Sequence, residues 1–221
     1  MIGIIAAMQA EIVDITAMME NVEKKSIHNT DFYVGTLSGK DVVVVRSGVA
    51  KVNATVSTML LLNNFPIKYI VNIGSAGGLA DGMKLLDVVV STKVVHHDLN
   101  VTLDGQPLYA EANIMLVEKA LEAASEIKDI NTYSGLIASG EQFIMTQEAM
   151  SIREKYPETL AVEMEASAVG FTCWRMEVPF VVIRSVSDIP HKEGNYMTFE
   201  EFLPLAAKNA AILTRALVSK L

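Results

Sequence analysis

Tyr69-Ile70-Val71-Asn72-Ile73-Gly74-Ser75-Ala76-Gly77-Gly78 is an apolar run that opens into glycines. Its first half is rich in Val and Ile with no strict polar alternation, the signature of a strand covered on both faces. The glycines after it read as a strand-to-loop turn that admits close approach of a ligand to backbone amides. Outward from this stretch the pattern repeats. Ile2–Ala6, Asp41–Val45, Val88–Val90, Gly135–Ala138 and Phe180–Ile183 are short apolar runs of the same kind. Helical patterns fall between them, over Lys51–Leu62, Ile114–Ser125 and Thr146–Tyr156. Phe32–Leu37, Ser38-Gly39 and Asp41–Val45 read as a hairpin. Near the end, Thr198-Phe199-Glu200-Glu201 predicts a capping box, followed by apolar residues at helical spacing from Phe202 to Leu217. This alternation predicts an α/β fold, a three-layer α/β/α sandwich around a twisted mixed, mostly parallel sheet. No Pro/Gly/Ser-rich linker interrupts it, so residues 1–221 are expected to form a single domain.

Composition narrows the class of function. With 18 basic and 26 acidic residues the formal charge is −8, which argues against a nucleic-acid footprint. No apolar stretch approaches the ~20 residues of a membrane helix. Met1–Met8 lacks a basic leader and reads as a first strand, so a cytoplasmic protein is expected. The single cysteine, Cys173, reads as core packing. His96-His97-Asp98 invites a metal reading, but adjacent side chains on a strand point to opposite faces, and no second ligand pair accompanies them. No metal is expected from this pattern.

The chemistry concentrates in acids set among apolar residues. Leu160-Ala161-Val162-Glu163-Met164-Glu165-Ala166 places two glutamates where an unpaired carboxylate is costly. On an extended segment they share a face. Arg184 is a candidate partner for Glu163, which leaves Glu165 for a ligand such as a vicinal diol, whose two hydroxyls suit two carboxylate oxygens. Glu11, after the first strand, reads either as a first-turn acid favoured by the helix dipole or as a group that polarises water. Asp188 ends the strand signal Val182–Ser187 and reads either as a turn residue or as a site acid. The glycines at 74–78 are followed by Leu79-Ala80-Asp81, not by Lys-Ser/Thr, and they do not meet GxGxxG, so neither nucleotide-loop motif is present.

Six ordered blocks resemble the 5′-methylthioadenosine/S-adenosylhomocysteine nucleosidases of the purine nucleoside phosphorylase-like superfamily. They are Ile4–Glu11, Ser47–Ala54, Asn72–Gly78, Ser139–Ile144, Ala161–Ala166 and Val182–Asp188. The resemblance implies a homodimer that acts on a nucleoside without metal or cofactor. It implies Glu11 as the acid that activates water and Asp188 as the acid that protonates the purine. It implies that Glu165 holds the ribose hydroxyls with Met164 beside it. Phe143 would stack on adenine, the backbone of Ile144 would read the base edge, and Ser75 would lie near the reacting centre. Such a pair needs one neutral and one ionised carboxyl at neutral pH, as in inverting glycosidases. Gln9-Ala10 departs from the acidic pair common before the catalytic glutamate. The loop over 101–109 is shorter than in the family, where it covers the 5′ group across the dimer. Leu103 and Pro107 are the residues expected to reach there, and the shortening leaves open a preference for another 5′-modified adenosine. Two other readings stand beside hydrolysis. One is a nucleoside phosphorylase, for which Arg46 is the nearby phosphate ligand on offer; the other is a silent nucleoside sensor.

Overall fold

The computed structural model describes the backbone of residues 1–100, 102–103, 106–128, 130–190 and 195–221, and their side chains except at 102, 103, 106, 107 and 195–197. Six helices and twelve strands occur among these residues. The strands are β1 (Ile2–Ala6), β2 (Glu20–Ile27), β3 (Thr30–Leu37), β4 (Lys40–Arg46), β5 (Tyr69–Gly78), β6 (Val88–His96), β7 (Thr102–Leu103), β8 (Gln106–Pro107), β9 (Tyr109–Glu111), β10 (Thr132–Ser139), β11 (Thr159–Glu163) and β12 (Phe180–Asp188). The helices are α1 (Gln9–Ala17), α2 (Lys51–Asn64), α3 (Ile114–Ser125), α4 (Thr146–Lys155), α5 (Ala166–Arg175) and α6 (Asn195–Ser219).

The main sheet runs β11-β10-β6-β12-β5-β1-β4-β3-β2, with β9 beside β6. It is mixed: β1 is parallel to β4 and β5, and β12 to β5, while β12 runs antiparallel to β6. β11 also pairs with β5, at Ala161 with Gly78 and Val162 with Gly77, so five of the strands curl into a closed ring. Period-two alternation divides the core between the two faces. Ile4, Val42, Val44, Val71, Val181 and Ile183 meet α1, α3 and α6 on one side. Ile5, Val43, Val45, Ile70 and Val182 meet α2 and α5 on the other. Each such side chain, taken fully out of water, contributes about 1.5–3 kcal/mol before entropy is counted. These two helical layers confirm the predicted sandwich, and α4 closes a third cluster with Leu136, Val95 and Val162.

Several boundaries differ from the sequence reading. The glycines at 74–78 are not a turn, because β5 continues through Gly78 with partners on both edges. Hydrogen bonding along both neighbours outweighs the low strand preference of glycine. The final helix begins at Asn195, so Thr198 lies inside it and does not cap it; neither Gly nor Pro separates the two positions. Glu163 closes β11 and Glu165 is the N-cap of α5, so the two acids do not lie on one extended segment. The β3–β4 hairpin is as read, with Ser38 at φ 50° and Gly39 at φ 74° forming the two-residue turn that strand twist favours. The side chains of Leu103 and Pro107, and with them the reach of the 101–109 loop, lie outside the described residues.

Candidate active site

The carboxyl ends of β1, β5, β11 and β12 open into one cavity of about 200 Å³. In open α/β sheets this is where ligands bind. Glu11, Ser75, Phe143, Ile144, Met164, Glu165 and Asp188 all line it. Arg46 does not; its guanidinium reaches Gln9 Oε1 at 3.4 Å on the surface.

Glu11 stands in the first turn of α1 and is 2% exposed. Four donors converge on its carboxylate. The Ala7 and Met8 amides each lie 3.0 Å from Oε2, and the Ser75 amide and hydroxyl lie 2.9 and 3.1 Å from Oε1. The helix-start reading fits this geometry, since Met8 is the N-cap of α1 and its amide donates to Glu11. Gly74 permits the approach from β5. A Cβ there would sit 2.7 Å from Glu11 Oε1 and 2.0 Å from Arg184 Nη1.

Asp188 ends β12 and is 2% exposed. The register with β5 shifts between Val186 and Asp188, which brings Asp188 opposite Gly77. Bulges of this kind re-aim a side chain. Ser187 Oγ donates to Asp188 Oδ1 at 2.7 Å, a contact the sequence reading did not anticipate. Gly77 leaves room for it, since a Cβ there would meet Asp188 Oδ2 at 3.2 Å.

The two glutamates have separate tasks. Glu163 is fully engaged. It accepts from Ser139 Oγ and from Arg184 Nη2, and its Oε2 accepts the Glu165 and Ala166 amides at 2.9 and 2.8 Å. It thereby caps α5, as a carboxylate at a helix start does. Arg184 is 1% exposed and also donates to Asn72 Oδ1 at 2.9 Å and the Ile73 carbonyl at 3.2 Å. Glu165 is not left wholly to a ligand: Oε1 accepts the Ala50 amide at 2.9 Å, and Oε2 lies 3.4 Å from Arg184 Nη2. One anchor per oxygen leaves acceptor capacity on both. Burial, and then repulsion from Glu163, push the Glu165 carboxyl up to about 8.

Phe143 is 36% exposed at the mouth and meets Phe199 of α6 edge-on, with ring centroids 5.3 Å apart. Phe199, Val49 and Pro190 complete the apolar wall and were not singled out from sequence. Phe199 was read only as part of a helix cap, and one aromatic on a helix carries no further signal. His96 stacks on Phe171 with centroids 5.0 Å apart, and its Nδ1 lies 2.6 Å from Ser167 Oγ. Among the described residues, no three His, Cys, Asp or Glu side chains group as metal ligands would. No helix there is long and apolar enough to cross a membrane. Cys173 is buried in the core, where burial pushes its thiol upward.

Buried acids and apolar walls at the strand ends of this fold define a site for a small molecule that is largely apolar and carries a few polar groups. The phosphorylase superfamily model matches residues 1–219. A 5′-methylthioadenosine/S-adenosylhomocysteine nucleosidase from Geobacillus sp. is 42% identical over 100% of this chain and 98% of its own. The crystal structure of the Neisseria meningitidis nucleosidase with methylthio-immucillin-A superposes with a TM-score of 0.95 at 38% identity, covering 100% and 99% of the two chains. The Colwellia psychrerythraea nucleosidase with adenine gives 0.94 at 34%, covering 100% and 95%. The chain belongs to the 5′-methylthioadenosine/S-adenosylhomocysteine nucleosidases, an enzyme family of the phosphorylase superfamily.

Proposed function

We propose that the protein hydrolyses the N-glycosidic bond of 5′-methylthioadenosine and S-adenosylhomocysteine, with Asp188 as acid and Glu11 as base. The observation that carries this reading is that two buried acids from distant parts of the chain, Glu11 and Asp188, line one small cavity together with Glu165. As the C1′–N9 bond breaks, the sugar gains positive charge and the adenine gains negative charge. Asp188 gives its proton to N7 of the leaving base. Water adds to C1′ and passes a proton to Glu11. One water is consumed, and adenine and a 5-thioribose product leave. Each proton transfer contributes about 10²–10⁴-fold. The four donors around Glu11 fix its carboxylate in the cavity wall.

Glu165 accepts the two ribose hydroxyls with the lone pairs its anchors leave open, and Met164 packs against the sugar. Phe143 stacks on adenine and the Ile144 backbone meets the base edge, while Ser75 stands near C1′. A phosphorylase reading has less support, since Glu11 stands on the cavity wall and Arg46 does not. We also infer a homodimer. Val52 (73% exposed) on α2 and Trp174 (63%) on α5 flank an apolar groove with Val56, Met59 and Met176, which suits a second copy of the chain. Purified protein given methylthioadenosine in phosphate-free buffer is expected to release adenine, with no acceleration on adding phosphate. No release from folded protein, or release only with phosphate, overturns the reading.

A further inference from the structure

His96-His97-Asp98 is the motif that the chemistry above leaves unused, and its aspartate sits at a junction. Lys51 Nζ lies 2.7 and 2.8 Å from the two Asp98 carboxylate oxygens, and the Glu141 amide donates to Oδ2 at 3.0 Å. The Lys51 amide in turn donates to Glu141 Oε1 at 3.3 Å. Three segments meet there: the chain leaving β6, the N-terminus of α2, and the start of the 141–144 stretch that forms the base wall. None of Asp98, Lys51 and Glu141 lines the cavity. Partial burial works against the Asp98 anion, but Lys51 and the Glu141 amide hold its carboxyl below the usual range.

The second observation is one residue before Lys51. Ala50 has φ 78° and ψ 166°, a backbone conformation that residues carrying a Cβ rarely adopt. Such a conformation persists only where the surroundings fix it. Its effect here is to aim the Ala50 amide at Glu165 Oε1, 2.9 Å away. Around it, the Ala50 carbonyl accepts the Ala54 amide at 3.1 Å as α2 begins, and the next residue, Lys51, is held through both its amide and its ammonium.

We propose that Asp98 is a positioning residue for ribose recognition: by holding Lys51 and the Glu141 amide it keeps Ala50 in its strained conformation, and so keeps Glu165 turned toward the sugar hydroxyls. This rests on the assignment of Glu165 to the ribose. The Lys51–Asp98 pair is partly exposed, with side chains 19% and 31% accessible. Pairs of that kind add little to folding stability, so its removal is expected to leave the fold intact; Lys51 also lines the groove assigned above to the second copy.

The test compares the parent with Asp98→Asn, Lys51→Gln and the double variant. The probe is a carbon-linked 5′-methylthioadenosine analogue, whose base cannot leave, and its 2′,3′-dideoxy counterpart. Calorimetric affinity for the hydroxyl-bearing analogue is expected to fall about tenfold in each single variant, the effect of a lost or weakened hydrogen bond. The double variant should be no worse, and the dideoxy analogue should lose about twofold or less. With the natural nucleoside, KM rises by the same factor while kcat holds. Unchanged affinity for both analogues, or an equal loss on both, overturns the proposal. If Asp98→Asn fails to fold, Lys51→Gln carries the comparison alone, and unfolding of both marks the pair as merely structural and also overturns it. Adenine release by the parent is scored separately, so a failure of the hydrolase reading is distinguished from a failure of this one.

Discussion

Asp188→Asn replaces an acidic proton that can be transferred with an amide that cannot give one up, at almost no change in volume. Turnover of methylthioadenosine is expected to fall by at least about 10²-fold, with circular dichroism unchanged and nucleoside affinity largely kept. Glu165→Gln keeps the shape but weakens acceptance from the ribose hydroxyls. Its KM penalty on methylthioadenosine should exceed that on a 2′,3′-dideoxy analogue, and equal penalties would count against the diol assignment. Glu165 also sets a pH dependence of the unliganded fold. Burial and Glu163 raise its carboxyl from 4.5 to about 8, so the folded state binds this proton more tightly than the unfolded one. Stability from this group is present below about 4.5 and is lost as pH rises toward 8. The urea midpoint of the parent, measured against Glu165→Gln, should fall relative to the variant across that window; a constant difference would contradict it. At this scale much was legible. Acids within apolar sequence announced themselves by their cost, and Arg184 was named as Glu163's partner from charge alone. Ser187 beside Asp188 and the strained amide of Ala50 were not legible, because they depend on a bulge and a backbone angle that residue types do not encode.

Elements whose burial follows a simple period were read well. Ile114–Ser125 is α3 to the residue, because its apolar face repeats at helical spacing and Asn113 caps it. β2 went unread: Glu20–Ile27 is exposed along nearly its whole length and earns its pairing from β3, not from an apolar pattern. α5 was hidden in the same way, since Ala166–Cys173 is buried almost all round and shows no polar face. β5 shows what glycine does for the site at this scale. Gly74→Ala would drive a methyl group into Arg184 Nη1, 2.0 Å from the ideal Cβ, and toward Glu11. Neither neighbour is a loose chain end, since Glu11 is held by four donors and Arg184 by two carboxylates. The variant is expected to lose about 1–3 kcal/mol of stability by chemical denaturation and most of its activity. A variant as active and as stable as the parent would show that β5 need not pass so close.

The whole molecule joins residues that are far apart in sequence: Glu11 from α1, Ser75 from β5, Glu165 at the start of α5 and Asp188 from the end of β12. Alternating strands and helices pointed to the sandwich, whereas the curl that brings β11 back onto β5 was not legible, because strand register between distant segments leaves no local trace. The proposed dimer belongs to this scale as well. Trp174→Glu on the apolar groove is expected to yield a monomer by light scattering, and an unchanged mass would move the interface elsewhere. The division of labour between the two acids is tested most directly by changing the leaving group. A 5-methylthioriboside of 4-nitrophenol departs without needing a proton. Asp188→Asn should cleave it at nearly the parent rate while failing on methylthioadenosine, and Glu11→Gln should fail on both. Equal losses for Asp188→Asn on the two substrates, or full activity for Glu11→Gln on either, would contradict the assignment.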